Sequence, residues 1–361
     1  MFRKNNSALI ILALLTAFGA AVWMLPRMLH DRIETGLKDC FKDAEVSVGA
    51  FSIERPLALG LSDIAVEAPG YWISAPKVTI DRHFNITFFS PRVIIKAVPK
   101  TRDAAAAGQS FAINTVELRD LGIELRLPNI KGEIRGSAEI DLKNSQLNFA
   151  RLEMPSLKSG ELKIENILFD LPRSGEPGTL TAEKLSFQKL KVTDIRGDIL
   201  WHDFTLSVRP IAASWVKGSA SGHAEFGTSE PFGYSAELEL RELDLDTFTR
   251  EFKLKNKMSA DGKLAGKIKI VGDRTGVGLL EGLFDAGANG GNLVIEDPNF
   301  LKYLADNTRQ SIVLIEAAFK NYHFDSGSVA VAKKDNGLGL AVKLNGEKGR
   351  RDFEINLHDI L

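Results

Sequence analysis

The chain has 361 residues, 46 Lys and Arg against 47 Asp and Glu, and a formal net charge of −1. A balanced charge without a basic run excludes nucleic acid as a partner, because phosphate binding needs clustered cations. The lone cysteine, Cys40, excludes an internal disulfide and a cysteine-based zinc site.

Residues 1–26 predict a cytoplasmic tip and a membrane anchor. The run from Asn5 to Leu25 is uncharged and lies between Arg3-Lys4 and Arg27, long enough to cross a bilayer as a helix. Leu9, Ile10, Leu12, Leu14, Phe18 and Val22 form its apolar body. Trp23 stands where an interfacial aromatic belongs, and Pro26 marks the end. Arg3 and Lys4 hold the N-terminus in the cytoplasm and send the body across the membrane. A cleaved signal peptide is the alternative, since Gly19 and Ala21 suit a peptidase, although the apolar run continues past them. Both readings put the body outside the cytoplasm.

Residues 27–43 follow as a juxtamembrane helix, with Met28, Ile33, Leu37 and Phe41 near one face. The period changes to two over residues 44–296. Val46 and Val48 begin it, and Phe51 and Ile53 continue after a change of phase. The Ala-rich stretch 100–110 has neither period and predicts a loop. Ile123, Leu125 and Leu127 resume the alternation, then Leu162 and Ile164, then Ile167, Phe169 and Leu171. The phase slips again between Leu240 and Leu243, and a slip turns a strand's face over unless a bulge or turn absorbs it. Residues 297–322 predict an amphipathic helical segment with Asp297 as N-cap, Pro298 at the first helical position and a break near Asn307-Thr308. Strands return over residues 323–361 and complete the chain. Strand and helix do not alternate, so a doubly wound α/β fold is not expected.

No catalytic or metal constellation emerges. The six histidines, His30, His83, His202, His223, His323 and His358, never pair at ligand spacing. Gly276, Gly278 and Gly282 echo a phosphate loop but lack its lysine, and read better as hairpin glycines. Asp194, Asp198 and Asp203 near His202 have nothing to fix their geometry. The expectation is a protein without catalytic residues, metal or cofactor, and not an enzyme.

What remains is the alternation, which yields a sheet with one oily face. Two sheets can cover each other as a sandwich, or one open sheet can leave a trough that an apolar ligand fills. Periodicity alone does not choose between them; physical economy favours the sandwich, because it needs no ligand.

The C-terminal third adds a resemblance. "KMSADGKLAGKIKIVGDRTGVGLLEGLFDAGANGGNLVIED" (257–297) and "IVLIEAAFKNYHFDSGSVAVAKKDNGLGLAVKLNGEKGRRDFEINLHDIL" (312–361) are similar to the AsmA-like family, and within it to the YdbH-type group of intermembrane phospholipid transport proteins. The motifs are a Gly-x-Leu-x-Gly run, a Gly-Gly before a strand, and a helix ending in Asn321, Tyr322 and Phe324. The layout of anchor, short helix and "ALGLSDIAVEAPGYWISAPKVTID" is similar too. This chain is much shorter than the large relatives. The resemblance implies a mainly β fold: a long curled antiparallel sheet forming an open, taco-like β-groove, with one transmembrane helix and a short helical segment near the C-terminus. It implies a single-pass inner-membrane protein with a periplasmic body that shields phospholipid acyl chains between inner and outer membranes, aided by an outer-membrane lipoprotein or other envelope partner. Groove residues, taken by parity, are Leu238, Leu240, Ile268, Ile270, Leu340, Val342, Leu344, Phe353, Ile355 and Leu357. The alternative it offers is an envelope-assembly or secretion-system scaffold that acts through protein contacts.

Overall fold

The computed structural model describes Thr35 and residues 44–358, except 55–57, 98–113, 142–145, 174–175, 188–189, 203–204, 228–232, 252–253, 255–257, 274 and 335–336. The expected anchor and nearly all of the juxtamembrane helix therefore lie outside the described residues, as do the Ala-rich loop 100–110 and Asp203. No helix among the described residues is long and apolar enough to cross a membrane. Among them, 20 strands share one sheet and three short strands form another. The protein is mainly β, and its large sheet is almost wholly antiparallel. The chain divides into two units between Met154 and Pro155.

The first unit holds β1 (Glu45–Ser47), β2 (Phe51–Glu54), β3 (Ala58–Ala68), β4 (Tyr71–Ile80), β5 (Ile86–Phe89), β6 (Arg92–Ile95), β7 (Thr115–Arg126), β8 (Ile130–Asp141) and the start of β9 (Gln146–Ser159). Both β1 and β2 pair with β3, and β3 pairs with β4. β5 and β6 each pair antiparallel with β4 and parallel with β7. These two parallel pairings are the exceptions in a sheet whose other described pairings are antiparallel, as expected. They arise because β5 and β6 act as one strand bent at Ser90-Pro91, after which the chain returns to start β7 alongside β5.

The second unit contains β10 (Leu162–Leu171), β11 (Gly178–Phe187), β12 (Leu190–His202), β13 (Thr205–Trp215), β14 (Gly218–Gly227), β15 (Gly233–Asp244), α1 (Leu245–Glu251), β16 (Met258–Ala260), β17 (Lys263–Asp273), β18 (Gly276–Ala286), β19 (Gly291–Ile295), α2 (Pro298–Thr308), α3 (Ile312–Phe319), β20 (Tyr322–Phe324), β21 (Ser326–Lys334), β22 (Gly337–Gly346) and β23 (Gly349–His358). From β10 to β15 each strand pairs with the next, β15 continues to β17, β17 to β18, β18 to β21, and β21 through β22 to β23. Strands β16, β19 and β20 make the small sheet. Hence the span 44–296 is not all one sheet, because β16 and β19 leave it.

The helices also refine the expectations. Asp297 caps α2 through its carboxylate, which accepts from Asn299 N at 2.9 Å, and Pro298 opens the helix. The segment 297–322 is two helices, separated where Arg309 takes a left-handed conformation, and Tyr322 already belongs to β20. The alternation gave no warning of α1. Its start is signalled by Asp244, whose Oδ1 accepts from Thr247 N at 2.8 Å.

Five of the phase slips share a local cause. Asp63, Asp120, Asn166, Asp194 and Glu242 all adopt φ between 50° and 58° inside strands. Each is the second of two polar residues set between apolar ones: Leu61-Ser62-Asp63-Ile64, Leu118-Arg119-Asp120-Leu121, Ile164-Glu165-Asn166-Ile167, Val192-Thr193-Asp194-Ile195 and Leu240-Arg241-Glu242-Leu243. Asn and Asp tolerate this left-handed region better than other side chains. In β7 and β15 the register shifts at that point as in a β-bulge. The slip is thus absorbed: Leu61 and Ile64 lie in one buried cluster, and Leu240 and Leu243 in another.

Candidate apolar ligand surface

Residues directly opposite in a ladder point to the same side of the sheet, so register alone assembles the face. In the first unit it runs through Leu61, Ile64 and Val66 to Ile73, Ala75 and Val78, then Ile86 and Phe88. It continues through Val116 and Leu118 on β7 to Ala138 and Ile140 on β8. Leu61, Ile64, Ala75 and Val78 are buried, with Phe51, Ile80, Ile86 and Phe88 packed against them.

In the second unit the same construction spans the eleven strands of the large sheet from β10 to β23. Leu162, Ile164, Ile167 and Phe169 on β10 oppose Phe187, Leu185, Ala182 and Leu180 on β11. The row continues through Ile199 and Trp201 to Val208 and Leu206, then Ala224 and Phe226, then Ala236 and Tyr234. Every parity-chosen residue joins it. Leu238 opposes Ile268, Ile270 opposes Leu280, and Leu340, Val342 and Leu344 oppose Val331, Val329 and Gly327. On the last strand, Phe353, Ile355 and Leu357 pair with Val342, Leu340 and Leu338.

The face is not uniformly covered. Over its C-terminal strands sits a cap made of α2, α3 and the small sheet. Leu301, Leu304, Ile315, Phe319, Tyr322 and Phe324 form one buried cluster with Val342, Leu344 and Phe353, and Leu340 and Ile355 pack against it. Aromatic edges fix the joint: Phe319 meets Phe353 at 5.8 Å and Tyr322 at 5.9 Å. Tyr322 is fully buried, and its hydroxyl donates to Gly349 O at 2.5 Å. Val342, Leu344 and Phe353 are therefore closed from solvent by the cap, and Leu240 is buried in a separate cluster with Ala220, Leu243 and Phe284. On β10 to β14 the situation differs. Leu162, Ile164, Phe169, Leu185, Trp201, Leu206 and Ile211 stay half-buried and Phe226 is 38% exposed, while Ile167, Ala182, Ile199, Val208 and Ala224 of the same rows are buried. Leu238, Ile268 and Ile270 are half-buried too. The second large sheet that a sandwich needs is absent among the described residues.

Carboxylates pair with cations on the opposite, outer face. Glu237 pairs with Lys269 at 2.8 Å, Glu124 with Arg126 at 2.7 Å and Asp352 with Arg350 at 2.7 Å, all on exposed side chains. Hydrogen bonds from these cations, Lys269 foremost for Glu237, hold each carboxyl below its ordinary range. The carboxylates serve solvation of the outer face and converge on no common point. No group of His, Cys, Asp and Glu fit to hold a metal occurs among the described residues. Asp194 and Asp198 are exposed on β12, and Asp194 is spent on the slip. Gly276 opens β18 after a hairpin, as its glycine pattern suggested.

Two inward cations interrupt the apolar rows. Arg351 opposes Leu344 and lies over the Tyr322 ring at 5.7 Å, and Lys333 opposes Leu338 and donates to Val277 O. The parity reading overlooked both cations, and it overlooked Trp201, Leu206, Val208, Ile211 and Phe226 as face residues. The five-fold recurrence of the polar pair was the available signal, because parity resets at each such pair. The chain matches no family model, no curated protein and no solved structure.

Proposed function

We propose that the chain carries lipid acyl chains along its apolar sheet face, as a periplasmic body anchored in the inner membrane by residues 1–26 and serving transport of phospholipid toward the outer membrane. The observation that carries this reading is the apolar face of β10 to β15, in register for six strands, whose Leu162, Ile164, Phe169, Trp201, Leu206 and Phe226 remain partly exposed around buried Ile199 and Val208, with the cap lying over the C-terminal strands instead. A large apolar face in water invites aggregation unless something apolar occupies it. Each methylene kept from water is worth about 0.8 kcal/mol, so an acyl chain gains many times thermal energy by lying there. The head group stays in solvent beside the charged outer rows, and no bond is made or broken. The resemblance to AsmA-like proteins of the YdbH type supports the same reading and suggests an outer-membrane lipoprotein as partner.

The test is to purify the full-length chain, exchange detergent for nanodiscs of defined synthetic lipid, and identify retained cellular lipid by mass spectrometry. Phospholipid retained in near-stoichiometric amount, and lost in a variant with Leu206 and Ile211 changed to Glu, supports the proposal. A folded, lipid-free protein refutes it. Retained protein partners in place of lipid would favour an envelope-assembly scaffold.

A further inference from the structure

Helix α3 is apolar on both sides. Ile315 and Phe319 point into the cap's core, whereas Ile312, Val313 and Leu314 are exposed, the last two by 66% and 63%. On α2, Tyr303 is also exposed and stacks on Phe300 with centroids 6.1 Å apart. A helix that is apolar all round belongs inside a larger core or in a membrane. Together these side chains leave on the order of 400 Å² of apolar surface in water, a size that on a lone protein commonly marks a binding site.

The arrangement discriminates among occupants. Successive helical residues are turned by about 100°, so three in a row fan over about 200° at the helix's first turn. A protein groove reads a single stripe, at i, i+3, i+4 and i+7; a fan needs a medium that wraps around it. Two copies meeting symmetrically here would bury on the order of 800 Å², short of the ~1,200 Å² at which specific dimers begin. The surrounding charges suit a headgroup layer. Arg309 precedes the fan, Lys302 and Lys320 are exposed on α2 and at the end of α3, and Lys348 donates to Asn321 O at 2.8 Å. Asp306 and Glu316 offset part of that charge, but Lys and Arg can bend their stems toward phosphates while acids cannot.

We propose that the first turn of α3, with Tyr303, inserts into the surface of a lipid bilayer and docks the C-terminal cap there. The apolar face then ends against the membrane to which lipid is delivered or from which it is taken. The inference rests on the lipid-carrying reading only for the presence of a bilayer within reach of the cap.

The experiment holds the full-length chain in nanodiscs and offers it protein-free vesicles of phosphatidylethanolamine and phosphatidylglycerol at 3:1. Co-flotation with the vesicles is measured for the wild type, for Val313→Asp/Leu314→Asp, and for Leu283→Asp, a comparably exposed leucine on β18. The wild type and Leu283→Asp are expected to float with the vesicles, and the double variant to lose at least tenfold in partitioning, with an unchanged circular dichroism spectrum. Equal flotation of wild type and double variant overturns the inference. So does absence of wild-type binding, or a dimer in mass photometry that the double variant abolishes. Lipid retained by the double variant is measured in the same samples: docking lost with lipid retained leaves the proposed function standing, and docking kept without retained lipid defeats that function alone.

Discussion

Deleting a single residue from β15 should be harmless at one position and ruinous three residues earlier. Glu242 is the extra residue of a bulge, because Leu240 opposes Gly266 while Leu243 opposes Leu264. Removing it restores a regular ladder and leaves both Leu240 and Leu243 facing inward, where they are 2% and 5% exposed. The expected cost is within about 1 kcal/mol, the local twist of a bulge and little else. Deleting Glu239 instead reverses the N-terminal half of the strand. Leu238 and Tyr234, both half-buried, turn to solvent at about 1 kcal/mol each. Ser235 and Glu237 turn inward without partners, at about 1–3 kcal/mol apiece, and Glu237 loses Lys269. The sum, about 4–8 kcal/mol, rivals the stability of a whole domain. Urea titration of the two full-length variants, followed by tryptophan fluorescence, compares their midpoints directly. Equal loss in both would refute the view that slips are absorbed at the left-handed residues.

Three further outcomes follow from the same geometry. Phe319→Ala, at a side chain 2% exposed, should cost about 3–5 kcal/mol and should raise hydrogen exchange in α2, α3 and β20 before it does in β10 to β14. Asp81 is pulled up by burial, but hydrogen bonds from Asn85 N, Asn85 Nδ2 and His83 N at 3.0, 2.9 and 2.7 Å outweigh this and hold its carboxyl below the ordinary value. A depressed carboxyl stabilises the fold above its unfolded pKa, near 3.9, and loses that contribution as pH falls through the folded value. Asp81→Ala should therefore lower stability by about 1 kcal/mol at pH 7, and the gap to wild type should close in titrations carried below pH 3. Phe226→Glu should reduce retained lipid several-fold with little effect on the urea midpoint, since the ring is already partly exposed on the inner side; Leu283→Glu on the outer side should change neither.

Much of the fold was legible because a two-residue period needs only one oily face to show itself. The runs around Leu238, Ile268 and Val342 announced strands and, through parity, residues that the register brings to one face. What the period hides is connection. Nothing local at Ile86 or Val93 says that β5 and β6 lie beside β7 in parallel, since that depends on contacts distant in sequence. The helix α1 was hidden for another reason: seven residues are too few for a helical stripe, and only the Asp244 cap marks its start. The site was half legible. Parity chose ten residues that the register brings to one face, yet it gave no sign that the cap would bury Val342, Leu344 and Phe353. That burial is made by Phe319, Tyr322 and Phe324, residues of short elements whose partners lie in the sheet.

The most direct test is a parity scan with a photoreactive amino acid placed in turn at Leu238, Glu237, Ile268 and Lys267 in the full-length chain in living cells. Lipid adducts at Leu238 and Ile268, with none at the adjacent Glu237 and Lys267, are predicted by acyl chains lying on the inward face. Adducts blind to parity, or protein adducts alone at the two apolar positions, would contradict it.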